Sequence, residues 1–120
     1  NYRLFALWVG PNSNWFLDVW EPKDNDIWGR FSTQSIASGG NLNDANVGGA
    51  GLDYNPATAN LFNVNTGTDS LSVIDGISLG TVGSVVLGDD PFAITIDESR
   101  NQVYLGLRAS GNLIKLADTY

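Results

Sequence analysis

The sequence predicts an all-β fold of short antiparallel strands, and three observations carry that prediction. No window sustains apolar residues at the i, i+3, i+4, i+7 spacing of an amphipathic helix, because Gly or Asn interrupts most stretches. Turn-forming residues recur between the apolar runs. In the second half of the chain one strand pattern returns after 42 residues.

Taken in order, the first expected strand is Leu4 to Val9, an almost unbroken apolar run suited to burial on both faces or to donation into a neighbouring molecule's sheet. Gly10-Pro11-Asn12-Ser13 turns the chain into Trp15 to Trp20, and Ile27 to Thr33 follows as a third strand. Residues 35–49, rich in Gly, Asn and Ser, are expected to be a surface loop or a disordered insertion. Beyond it come Gly51 to Tyr54, Asn60 to Val64 and Ser70 to Asp75, separated by Asn55-Pro56 and Thr66-Gly67. After Asp75-Gly76, the remaining strands are Ser84 to Leu87, Phe92 to Asp97, Gln102 to Leu107 and Asn112 to Leu116. Asp89-Asp90-Pro91 and Ser110-Gly111 supply turns among them. So many short strands imply a propeller, a barrel or a sandwich.

Sliding the chain by 42 places sets Leu52 and Tyr54 on Ile94 and Ile96, Leu61 and Phe62 on Val103 and Tyr104, and Leu71 on Leu113. Asp75 finds a counterpart in Asp118 if one residue is added. The repeated unit is an apolar strand, an acidic or Asn-Pro turn, a strand with Phe or Tyr, a Gly turn and a closing strand.

The run Ser72-Val73-Ile74-Asp75, then Gly88-Asp89-Asp90-Pro91-Phe92-Ala93-Ile94, then Gln102-Val103-Tyr104-Leu105, resembles the YVTN-type β-propeller repeat. The resemblance covers about residues 50–118. It departs at the motif's core, which reads Phe62-Asn63-Val64-Asn65 in one copy and Tyr104-Leu105-Gly106-Leu107 in the other. It implies propeller-like blades and a bacterial or archaeal surface or periplasmic setting. A ring closes with about four to eight blades, so 120 residues make an incomplete one; a β-sandwich is the alternative. The expected organisation is an aromatic-rich segment at 1–34, the loop at 35–49 and two repeats at 50–120, together one structural unit.

Composition narrows the function. Six basic against thirteen acidic residues give a net charge of −7, which repels nucleic acid and anionic membranes, and the basic residues are scattered singly. The apolar runs are strand-sized, so no membrane insertion is expected. Low charge, abundant Asn, Gly, Ser and Thr, and no Cys or Met favour an extracellular or cell-surface location. A chain beginning at Asn1 is expected to be a processed product or part of something longer.

Without His or Cys, triads and imidazole acid–base chemistry are excluded, leaving carboxylate pairs or a metal. Asp89 and Asp90 are neighbours on a turn, a poor placement for carboxylates that must face each other across a cleft. The chain is therefore expected not to be an enzyme. No cofactor is expected. Calcium is the weak exception, with Asp24 and Asp26, or the Asn41 to Asn46 stretch, offering loop oxygens without an EF-hand pattern. Asx-turns explain the same residues.

The sharpest asymmetry is aromatic: Trp8, Trp15, Trp20 and Trp28 all fall in the first quarter, with Phe16 among them. Core packing, a subunit interface and a sugar-stacking platform are the three readings. The function expected from the sequence is a non-enzymatic surface module acting by protein binding or self-assembly, with a filament or shell subunit and a carbohydrate-binding lectin as alternatives. Its partner would be another copy or another chain completing the sheet. Loops such as residues 35–49 and Asp89 to Pro91 are the other candidate contact points.

Overall fold

The computed structural model describes residues 3–9, 15–24, 27–35, 51–65 and 68–119, and its regular elements are all strands. In chain order they are β1 (Leu4–Val9), β2 (Trp15–Asp24), β3 (Ile27–Ser35), β4 (Leu52–Asn55), β5 (Asn60–Asn65), β6 (Ser70–Asp75), β7 (Thr81–Val86), β8 (Pro91–Asp97), β9 (Gln102–Leu107) and β10 (Asn112–Ala117). They form three antiparallel sheets, ordered β1-β2-β3, β4-β5-β6-β7 and β10-β9-β8, none closed into a barrel. Two compact units result: Asn1–Ala37 holds the first sheet, and Ser38–Tyr120 holds the other two.

Within the second unit the two sheets meet face to face. Phe62, Val64, Leu71 and Val73 from one sheet form a buried cluster with Val103 and Leu105 from the other. Leu87, Ile94, Ile96, Ile114 and Leu116 close its rim. Alternation produces this arrangement, since successive residues of β9 are half-buried and buried in turn. Each fully buried aliphatic side chain contributes about 1.5–3 kcal/mol.

The 42-residue repeat is a repeat of register. Leu52↔Asn63, Tyr54↔Leu61 and Asn60↔Asp75 become Ile94↔Leu105, Ile96↔Val103 and Gln102↔Ala117 when 42 is added to every number. Turn chemistry repeats too: Asn55 Oδ1 accepts the Ala57 N–H, and Asp97 Oδ1 accepts the Ser99 N–H. The left-handed residues Ala59 and Asn101 are equivalent, as are Asp69 and Gly111. Gly76 N–H donates to Ala59 O at 2.7 Å, and Asp118 N–H donates to Asn101 O at 2.7 Å. The counterpart of Asp118 is therefore Gly76, not Asp75, and no residue is added between the copies. The first sheet shares a fragment of this pattern, because Asp18↔Thr33 and Val19↔Ser32 lie 42 residues before Asn60↔Asp75 and Leu61↔Ile74. A register shift between Val19 and Trp20 then breaks it.

A buried polar clamp ties the second unit's two sheets. Asp118, just past β10, accepts from Asn55 Nδ2 at 2.8 Å, Asn60 Nδ2 at 2.9 Å and Thr58 Oγ1 at 2.5 Å. Asn55 Nδ2 also donates to Asn101 Oδ1 at 3.1 Å. Asn55, Asn60 and Asp118 are all buried, and their mutual bonds satisfy groups that would otherwise destabilise the interior.

Several sequence expectations change. β2 runs on to Asp24, because Glu21, Pro22 and Asp24 pair with β3; at Pro22 the other edge of β2 lies past the reach of β1, where a missing N–H costs nothing. β7 starts at Thr81, earlier than Ser84, and includes Gly83 opposite Val73. β1 is an edge strand with Leu4 and Trp8 exposed, so its apolar run is not buried on both faces. Of the long loop at 35–49, only Ser35 is described, and it ends β3.

Candidate functional site

The first sheet gathers aromatic side chains on one face. In the β1–β2 register Leu4 opposes Trp20, Ala6 opposes Asp18 and Trp8 opposes Phe16, so these six share a face. Across β2, Asp18 opposes Thr33, Trp20 opposes Arg30 and Pro22 opposes Trp28, which carries the same face onto β3. The opposite face includes Leu17 and Val19, both fully buried. Trp15 pairs with Val9, one position out of phase with Phe16.

Of the residues singled out in the sequence, Trp8, Phe16, Trp20 and Trp28 are therefore brought together by register. Trp8 and Phe16 stack with centroids 4.5 Å apart and planes at 21°. Trp8 is 40% and Trp28 43% exposed, while Phe16 and Trp20 are half-buried. Three further apolar side chains of the unit, Leu4, Ile27 and Phe31, are more exposed still. The Arg3 guanidinium lies 4.8 Å from the Phe31 ring centroid and 3.2 Å from Glu21, a placement that keeps a cation against an aromatic ring.

At the centre of this face sits Asp18. Asp18 is only 6% exposed, and its Oδ1 accepts from Thr33 Oγ1 at 2.7 Å. The Trp8 indole N–H donates to the same carboxylate, and Arg30 approaches to 3.8 Å. Burial pushes the Asp18 carboxyl upward, but hydrogen bonds from Thr33 and Trp8 with the Arg30 charge outweigh it and hold the group below its ordinary value. The sequence signal was an acid inside an apolar strand, Leu17-Asp18-Val19. Fixing the Trp8 ring is its mechanical effect.

The chain matches no known family model and no curated protein sequence.

Other candidates resolve differently. Asp89 and Asp90 both adopt left-handed backbone, and Asp90 is bonded to Arg108 through Nε at 2.6 Å and Nη2 at 2.5 Å. Their backbone carbonyls accept from Ala109 and Arg108, so the pair shapes a turn against β9. Asp24 is exposed at the end of β2; Asp26 and Asn41 to Asn46 lie outside the described residues. Among the described residues no three acidic, His or Cys side chains cluster as metal ligands. A hollow of about 370 Å³ lies on the second unit, lined by Phe92, Ala93, Gly106, Leu107, Arg108, Gly111 and Asn112.

Proposed function

We propose that this chain is a non-enzymatic binding or assembly module of an extracellular or cell-surface protein, and that the aromatic face of β1–β3 is its contact surface. One observation carries the proposal: Trp8, Phe16, Trp20 and Trp28 share a face on which Arg30 and the buried Asp18 also lie. Trp and Arg are the residues that dominate binding energy at protein interfaces, because a large rigid ring is buried at little entropic cost. Kinship with YVTN-type blades belongs to the same reading, and the 42-residue register is what supports it.

Sedimentation velocity of the full chain across a concentration series, beside Trp8→Ala/Trp28→Ala, tests this. Wild-type association that the double variant weakens by about a thousandfold is expected, since two interface tryptophans each contribute about 2 kcal/mol at a hot spot. Association that is indifferent to both substitutions moves the interface elsewhere. Quenching of Trp emission by a panel of sugars, with the chain remaining monomeric, would replace the protein partner by a carbohydrate.

A second reading, a filament or shell subunit, draws on an edge of β10 that no strand pairs with among the described residues. Two unlike surfaces on one chain make head-to-tail contacts that need not close. Electron microscopy of concentrated protein separates it from a closed oligomer.

A further inference from the structure

The four-stranded sheet ends on β7, and the chain itself leaves that edge open. After β7 it passes into β8, which pairs with β9 in the other sheet. Among the described residues no strand pairs with the outer side of β7.

The other edge strands of the second unit are defended. β4 carries Asp53, β8 opens on Pro91 and carries Asp97, and β10 carries Lys115. A charge or a proline at an edge deters pairing with another sheet, and β7 has neither. From Gly76 to Gly88 no residue is charged, in a chain of net charge −7. Val82 and Val86 are 46% and 82% exposed along this stretch. A register shift leaves Val82 without a partner on β6, so the regular edge begins at Gly83. Leu87 N–H donates to Asp69 O at 2.8 Å, and main-chain groups alternate along an antiparallel strand. Val85 and Gly83 therefore turn theirs to β6, while Ser84 and Val86 turn theirs outward.

We infer that the outer edge of β7 is a self-pairing edge, on which a second copy of this chain lays its own β7 antiparallel across a twofold axis. Charge selects this occupant: two acidic chains repel, and here their main chains meet with no acid on either side. The outward groups set the register. With Val85 of each copy at the axis, Ser84 exchanges main-chain hydrogen bonds with Val86 of the second copy, and symmetry repeats the exchange. Gly83 lies opposite Leu87 of the second copy and leaves it room. Asp89, the first charge past the strand, falls opposite Thr81 of the second copy. The two four-stranded sheets become one continuous sheet, with affinity from main-chain bonds and from β-branched pairs across the axis. This edge belongs to the second unit and stands whether or not the aromatic face binds a partner.

The chain contains no cysteine, so single cysteines report the register. Full chains carrying Ser84→Cys, Val85→Cys or Val86→Cys are incubated in a thiol-exchange buffer, and disulfide dimer is read on a non-reducing gel. Val85→Cys alone is expected to give about tenfold more dimer than either neighbour alone, because only opposed positions meet the Cα spacing a disulfide needs. An equimolar mixture of Ser84→Cys and Val86→Cys restores the yield as a mixed dimer. That mixture carries the test if circular dichroism finds the half-buried Val85→Cys variant unfolded. Val86→Lys, at an exposed site, should lower the Val85→Cys yield about tenfold by placing a charge on the edge. Equal yields at all positions, none above a urea-unfolded control, or a dimer indifferent to Val86→Lys overturn the proposal.

Discussion

Replacing Asp118 with alanine removes a carboxylate that accepts from three donors. Asn55 Nδ2 keeps Asn101 Oδ1, but Asn60 Nδ2 and Thr58 Oγ1 lose the bonds to Asp118. A hydrogen bond to a charged acceptor is worth about 1.5–3 kcal/mol, and a buried donor left without one costs about 1–3 kcal/mol. Removing the carboxylate also removes its own burial cost, so the three losses do not sum, and we expect about 3 kcal/mol in all. Asp118→Asn keeps the shape and one acceptor oxygen while turning a donor toward donors, and should cost roughly half as much. Urea denaturation followed by circular dichroism reads both, with the midpoint shifting at constant slope. A double-mutant cycle with Asn60→Ala should show a coupling of about 0.5–3 kcal/mol. An alanine variant within about 0.5 kcal/mol of wild type, the ordinary range of a surface change, would refute the view that this clamp holds the two sheets together.

Leu71→Ala should cost about 2–5 kcal/mol and Leu113→Ala no more than about 0.5 kcal/mol, although the two occupy equivalent positions; matched denaturation curves decide it. Gly51→Ala should destabilise by about 1–3 kcal/mol in the same assay. Its Cβ would meet Ile94 Cγ2 at 2.9 Å and the Phe92 carbonyl at 3.2 Å, whereas Gly106→Ala meets only Ala93 Cβ at 3.7 Å and should be neutral. Acid should weaken the fold. Asp75 is held below the ordinary 3.8 by the Ile77 and Ser78 N–H groups, and Asp97 by Ser99 and Arg100. Asp18 is lowered as well. A carboxyl depressed in the folded state stabilises above its unfolded pKa, and that contribution fades as pH falls through the folded one. Thermal midpoints should thus be level above about pH 5 and drop below about pH 4, less steeply in Asp18→Asn. A flat profile to pH 2 would contradict this.

Strand existence was legible because the signals are local: alternation, β-branched residues, and Gly, Asn or Pro at the turns. Even the repeat could be read, since apolar strands, turns and the Phe or Tyr position recur together 42 residues on. Boundaries were less legible where pairing decides them. Thr81 to Gly83 looks like turn sequence and becomes strand only because β6 lies beside it. Burial was illegible in principle, because Leu71 and Leu113 differ in their neighbours and not in themselves. The aromatic cluster was visible as composition, but its common face depends on which residues of β1 and β2 are opposed. Asp18 and Asp118 were missed as organising groups for a related reason. Their partners, Thr33 in one case and Asn55, Thr58 and Asn60 in the other, are reached across strands and announce nothing along the chain.

Between residues 52–75 and 94–117 only the Leu71/Leu113 pair is the same residue in both copies, yet the offset holds at 42 through three strands and two turns. Side-chain identity has drifted almost completely while length has not moved. Strand period explains the asymmetry. A substitution perturbs one site, but a single inserted residue would turn every later side chain of its strand to the wrong face. What the two copies share is a count, and further relatives of this chain are better sought by the spacing of their turns than by their residues.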